Sequence, residues 1–288
     1  GRQITLQDSR LESTTLGSQP WGNLTVNATE SVELIGNEVT GLFSNGLFAD
    51  TRGTGAAGNL SITTGRLTVR GEARVSTATC DAGRGGNLTV NAAESVELIG
   101  VDSNDFQLFT GLLTDAESTG AAGDLTINTR RLIVRDGAQV SASTFGEGAG
   151  GKLTVNATDS VELLGVSPSD LLASNLSTAV NPEGTGNGGD LEVNTRRLIV
   201  RDGAQLAAGT LGVGDAGNVT VNASESIEVT GVSPIALFPS GLFSTADDLY
   251  VKDTGLTVGN AGNLTVNTRQ LIVRDGGQVT AATLGNTG

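Results

Sequence analysis

The chain has 288 residues, among them 42 glycines, only 3% aromatic side chains, no histidine and no methionine, and its 31 acidic against 17 basic residues give a net charge of −14. The lack of histidine excludes Ser/His/Asp and Cys/His nucleophilic centres and a zinc site built around the single Cys80, and the negative charge opposes nucleic acid or anionic lipid as partners. A 37% hydrophobic content still provides a core of small branched side chains; Cys80 reads as a half-buried thiol on a strand, and no apolar run has the length of a membrane span or the make-up of a signal peptide.

In chain order, residues 1–21 read as the back part of one repeat unit, with Ile4 to Gly17, ITLQDSRLESTTLG, as its strands. From residue 22 the signature Gly-[Asn/Asp/Lys]-[Leu/Val]-x-[Val/Ile]-[Asn/Thr] begins at Gly22, Gly58, Gly86, Gly123, Gly151, Gly189, Gly217 and Gly262, at intervals of 36, 28, 37, 28, 38, 28 and 45 residues. A constant short step alternating with a variable long one implies two kinds of unit with the variation confined to loops. Odd units read GNLTVNATESVELIG (Gly22 to Gly36) and even units GDLTINTRRLIVRDGAQ (Gly123 to Gln139). Within an even unit, Leu125 and Ile127, then Leu132 and Val134, then Val140 and Ala142 alternate with polar residues, which is strand periodicity. Asn128-Thr129-Arg130 and Asp136-Gly137 stand between these runs as corners, the latter suited to positive φ. Three strands and three corners in 28 residues predict one triangular coil, and stacking at the strand spacing gives a rod about 40 Å long for eight rungs. The whole of 1–288 is therefore one all-β solenoid segment, with a partial rung over 1–21 and about eight full rungs, alternately short and long, over 22–288. No segment sustains a helical period.

Columns of the stack follow from the repeat. The residue five after each signature glycine is Asn27, Thr63, Asn91, Asn128, Asn156, Asn194, Asn222 and Asn267, which predicts a structural ladder of stacked amides along the rod axis. Beyond it Glu30, Glu94, Asp159 and Glu225 of odd rungs alternate with Arg66, Arg131, Arg197 and Gln270 of even rungs, so opposite charges should face each other and specify register. On the first strand Thr25, Ser61, Thr89, Thr126, Thr154, Thr220 and Thr265, interrupted by Glu192, form an outward hydroxyl column. Such a face suits ice or a polysaccharide, but β-propensity on a solvated strand is the preferred explanation, because an ice-binding face calls for paired Thr columns and this one is flanked by Asn.

Paired carboxylates remain as possible sugar-cleaving groups, but Asp136, Asp202 and Asp275 recur at one corner, which favours a turn role and argues against an enzyme. Stretches such as Gly83-Arg84-Gly85-Gly86-Asn87 partly resemble calcium-binding repeat turns without their nine-residue spacing; no other cofactor is signalled. The Asn-x-Ser/Thr sequons arise from the repeat motif itself. Variable segments follow the second strand of each odd rung, over 37–57, 101–122, 166–188 and 232–261, and hold Phe43, Phe48, Phe106, Phe109, Phe238, Phe243 and Tyr250. They are expected on one side of the rod, their Phe covering the core more than meeting a partner, with Gly-Leu-Phe at Gly41, Gly46 and Gly241 supplying part of the third strand.

The motifs GNLTVNA, SVELIG, RRLIVRDGAQ and GLFS resemble the repeat regions of cyanobacterial filamentous-haemagglutinin-like exoproteins of the two-partner secretion type. The resemblance spans nearly the whole chain. It implies a right-handed parallel β-helix, export through a dedicated outer-membrane partner, and an adhesive or fibre-forming role at the cell surface or outside the cell. Both ends read as open rungs, which leads us to expect either stacking on neighbouring rungs of a longer protein or end-to-end stacking on a second copy, with a cell-surface polysaccharide or protein receptor as further partner and no insertion into membranes.

Overall fold

The computed structural model describes residues 1–20, 22–36, 45–101, 109–169, 171–235, 238–252 and 254–284. Among these the regular structure is entirely β, and every ladder between strands is parallel. One sheet runs from Gln3–Gln7 through the long strands Leu60–Arg70, Leu88–Ile99, Leu125–Arg135, Leu153–Leu164, Leu191–Arg201 and Val219–Thr230 to Leu264–Arg274. A second sheet of mostly three-residue strands runs beside it from Arg10–Glu12 to Gln278–Thr283. Single parallel bridges along Thr15, Thr51, Thr79, Ala116, Thr144, Val180, Thr210 and Ala246 join the rungs on the remaining side. The chain is thus a parallel β-helix whose neighbouring strands come from successive rungs.

Inward positions alternate with outward ones, as the period of two demands. Ile127, Leu132, Val134 and Val140 of one rung lie over Val155, Val161, Leu163 and Leu176 of the next, all fully buried. The other rungs repeat this set up to the last, where Leu271 and Val273 are 45% and 41% exposed, and among the described residues the central core is a stack of aliphatic layers with no aromatic ring in it. Phe48 closes the second sheet near the start at 5% exposure, with the Arg10 guanidinium 4.9 Å from its ring centre. Phe109 carries the Arg74 guanidinium at 4.1 Å and accepts the Arg74 Nε–H on its carbonyl at 3.1 Å. Tyr250 is exposed, and Phe43 and Phe106 lie outside the described residues.

The corner expected at Asn128-Thr129-Arg130 takes a different form: from the second full rung on, the first two runs make one continuous strand of 11 or 12 residues, bent at a register shift, whereas the first rung keeps them apart as Leu24–Asn27 and Ser31–Ile35. Even rungs place one residue in the bend, Arg130 between Thr129 and Arg131, whereas odd rungs place two, Thr158 and Asp159 between Ala157 and Ser160. The tighter even bend is held by its threonine, because Thr129, Thr195 and Thr268 Oγ1 donate to the carbonyls of Arg131, Arg197 and Gln270 at 3.3, 3.3 and 3.2 Å. Odd rungs have alanine there (Ala28, Ala92, Ala157, Ala223). The next corner follows the sequence reading: Asp136, Asp202 and Asp275 adopt φ of 58°, 57° and 54°, each followed by a positive-φ glycine, the left-handed conformation that Asp tolerates and Gly prefers.

The signature glycines have another cause. A Cβ on Gly86, Gly123, Gly151, Gly189, Gly217 or Gly262 would stand 1.9 or 2.0 Å from the carbonyl oxygen of the glycine one rung earlier. Their column is the place where successive rungs approach backbone to backbone. A second column, Gly83, Gly120, Gly148, Gly186, Gly214 and Gly259, does the same at 2.0 to 2.1 Å on the bridged side. There Thr51, Thr144 and Thr210 cap the turn by donating Oγ1 to the carbonyls of Gly55, Gly148 and Gly214 at 2.7, 2.5 and 2.7 Å.

Candidate functional site

The outer face of the long sheet carries the polar residues singled out by the repeat. Asn128 Nδ2 donates to Asn91 Oδ1, Asn156 to Asn128 and Asn194 to Asn156, each at 2.9 Å, and Asn222 to Asn194 and Asn267 to Asn222 at 2.8 Å. Six of the seven asparagines thus form one unbroken ladder. Asn27 stands apart, because Thr63 occupies the rung between it and Asn91. An Asn156→Ala variant leaves the Asn128 side-chain oxygen without its donor and the Asn194 amide with Glu192 as its remaining acceptor on a half-buried face, so a loss of about 1–2 kcal/mol is expected in urea melts. Asn156→Thr should cost less, since threonine already serves in that column at Thr63.

A second ladder, four residues earlier, was not read from the sequence. The side-chain oxygens of Asn23, Asn59, Asn87 and Asp124 accept the backbone N–H of the corresponding residue one rung on, at 2.9, 2.9, 3.0 and 2.9 Å, and Asp190 and Asn218 do so at 2.8 and 3.0 Å. The recurrence of Asn or Asp right after the signature glycine is the signal that could have revealed it. Between the two ladders lie Thr25, Thr89, Thr126, Thr154, Thr220 and Thr265, in register from rung to rung and outward-facing, with Ser61 and Glu192 in the remaining places. Glu192 is fixed by Lys152 Nζ at 2.7 Å and Asn194 Nδ2 at 3.1 Å, which hold its carboxyl below the usual range.

The bend lies on the other side of the Asn ladder and forms a shallow outward groove that follows the rod axis. Its segments measure about 400 Å³ beside Asn27 and Thr63, about 370 Å³ from Thr63 to Thr158 and about 440 Å³ from Asn194 to Arg269. Of the charges expected to alternate along this edge, Arg66 meets Glu94 at 3.2 Å and Arg197 meets Asp159 at 3.5 Å, while Glu30 is taken by Arg2 of the preceding partial rung. Arg131 reaches Glu162 instead, at 3.8 Å, while the bend acids of the two adjoining rungs pair elsewhere, Glu94 with Arg66 and Asp159 with Arg196 and Arg197. Arg196 takes Asp159 at 2.5 Å and Glu225 at 3.3 Å, and its hydrogen bond lowers the Asp159 pKa. Further along the same strands Arg70 pairs with Glu33, Arg135 with Glu97, and both Arg201 and Arg274 with Glu228.

Two acids lie apart from these surface ladders. Asp50 and Asp115 occupy the same place on alternate rungs, at 8% and 7% exposure. Asp115 Oδ1 accepts Ser141 Oγ–H at 2.5 Å and Ser143 N–H at 2.7 Å; Asp50 Oδ1 accepts Ser76 Oγ–H and Ala78 N–H at 2.5 and 3.0 Å. Burial outweighs these bonds and pushes the Asp115 carboxyl up to about 6, and the Asp50 carboxyl upward as well. Cys80 stands in the bend after Thr79, not on a strand, and the residue is exposed; desolvation of its thiol and the neighbouring Glu117 push the pKa up to about 12, which makes it a poor nucleophile. Asp136 of the recurring corner is engaged by Arg135 Nη1 at 2.5 Å. Among the described residues no three of Cys, Asp and Glu converge on a common point where a metal ion would sit.

Of the four variable segments, parts of two are described as small hairpins, closed by antiparallel bridges between Val166 and Ala173 and between Val232 and Pro239. They sit beside the positive-φ corners, where Ser174 and Ser240 Oγ accept the Gly137 and Gly203 N–H at 2.9 Å. Residues 37–44 and 102–108 of the other two lie outside the described residues.

A search among curated proteins and one among solved structures returned no match. The family model for the haemagglutinin repeat matches four overlapping stretches, 22–100, 84–149, 148–252 and 216–288. Together they cover all eight recurrences of the signature, the Asn ladder and both glycine columns, and the chain belongs to the haemagglutinin repeat family.

Proposed function

We propose that the chain is a stretch of the shaft of a secreted or surface-displayed adhesin, a rod that holds recognition elements at a distance from the cell. The observation that carries this reading is that the polar side chains of the long sheet recur rung after rung and are engaged mostly by one another, in amide and ion-pair ladders. Such repetition specifies register in a rod, whereas a catalytic centre would be a local exception to it. Membership of a structural and adhesive family, typically secreted or displayed at the surface, supports the same role. Export through a dedicated outer-membrane partner belongs to this reading, as does end-to-end stacking into fibres through the open strand edges. Immunogold labelling with an antibody to the purified chain should decorate intact producing cells or their medium; label found only after permeabilisation would reject surface display. Negative-stain microscopy at rising concentration tests the fibre: filaments support it, and discrete short rods at every concentration remove it.

A further inference from the structure

The bend of the long sheet combines two features that the shaft does not require. It is grooved along the axis, and it concentrates positive charge. Counting the bend positions, the strand residue that follows each of them and Arg2 beside Glu30, seven of the 17 basic residues (Arg2, Arg66, Arg130, Arg131, Arg196, Arg197, Arg269) stand along this edge against four of the 31 acidic ones (Glu30, Glu94, Asp159, Glu225), so the edge carries +3. The remaining ten basic and 27 acidic residues give the rest of the chain −17. Arg130 and Arg269 are exposed, border the groove and make no ion pair among the described residues.

The geometry is linear and periodic. Arg130, Arg196 and Arg269 occupy the single bend position of successive even rungs, and recur about every 10 Å, twice the strand spacing. The Asn ladder walls the groove on one side and presents a carboxamide on each rung from Asn91 to Asn267, while the alanines and threonines of the bend leave room above them. An extended pyranose chain advances by a length comparable to one rung per sugar. Carboxylates on alternate sugars then fall at the period of the arginines, and a guanidinium binds a carboxylate through two parallel N–H···O bonds.

We propose that this bend is a binding groove for an extended polysaccharide bearing uronic acid on alternate sugars, lying parallel to the rod axis. The inference deepens the adhesive role and rests on it only for access to such polymers outside the cell. Hyaluronate, with one glucuronate per disaccharide, is the probe, titrated calorimetrically into the purified full chain at about 0.15 M salt. Hyaluronate should bind and a neutral glucan should not. The double variant Arg130→Gln, Arg269→Gln should weaken binding at least about tenfold, as expected for loss of two charge-assisted contacts. Ala93→Trp, at an exposed groove position, should weaken it comparably by filling the groove without changing the charge. Both sets of changes are on the surface, so unaltered thermal melts separate lost binding from lost fold. Absence of binding, binding indifferent to these substitutions, or equal binding of polyglutamate or DNA would overturn the proposal. Such a failure leaves the shaft reading intact, whereas failed surface labelling of cells leaves binding in vitro intact.

Discussion

Replacing Gly151 by alanine is expected to destabilise the middle of the solenoid by more than about 3 kcal/mol, at or beyond the upper end of ordinary overpacking. The added Cβ would stand 1.9 Å from the Gly123 carbonyl oxygen and 2.8 Å from its carbon. Both are backbone atoms of the adjacent rung, so no side-chain rotation relieves the clash; the rungs must separate, and parallel ladder bonds on both sides of the bend strain with them. Two other glycines isolate the cause. Gly165 has a φ of 70° with nothing within 4 Å of the added atom, so Gly165→Ala should cost only the backbone strain, about 1 kcal/mol. Gly22 has ordinary φ and open space, so Gly22→Ala should be close to neutral. Urea melts of the three variants should rank Gly151 far above Gly165 and Gly165 above Gly22. Because each rung contacts only its neighbours, the Gly151 variant should also melt in two steps; a single transition shifted by less than about 1 kcal/mol would show that the column tolerates a side chain.

The second large effect depends on pH. The Asp115 carboxyl is raised in the folded chain from 3.8 to about 6 by burial, so from about pH 4 upward the unfolded chain releases a proton that the folded chain still holds. Stability is therefore highest below the unfolded value. It falls as pH rises through the folded value and is flat above it, a total loss of about 3 kcal/mol for a shift of roughly two units. Asp50, shifted in the same direction, adds to the trend. Asp115→Asn keeps an acceptor for Ser141 Oγ–H and Ser143 N–H but cannot ionise. The variant should be more stable than the parent by about 2–3 kcal/mol at pH 8 and equal to it at pH 4. Thermal melts at the two pH values decide the matter: the same difference at both would mean that the charge has no part in it.

Much of the fold was legible because the chain states its geometry many times over. Eight signatures at alternating intervals reveal stacked units, the period of two reveals strands, and Asp-Gly at the recurring corner reveals positive φ, later found at Asp136, Asp202 and Asp275. The Asn column was visible for the same reason, since five residues after each signature glycine the type scarcely varies. Less legible was everything that depends on how one rung meets the next. The difference of one residue between odd and even bends is present in the letters, yet the register shift it produces, like the pairing of Arg131 with Glu162 and not with a bend acid, appears only when the rungs are stacked. Asp115 resembles any loop acid in sequence; its carboxyl is shifted because stacking of the rungs buries it, which outweighs the hydrogen bonds it accepts from Ser141 and Ser143 of the following rung.

The sequence by itself determined the architecture, because periodicity and turn chemistry are local properties that each rung carries whole. The tertiary structure alone decided why the signature residue must be glycine, which acids are buried and where the positive groove lies. These depend on distances between residues about 28 to 45 positions apart, brought to the strand spacing of about 4.8 Å only by the winding of the chain.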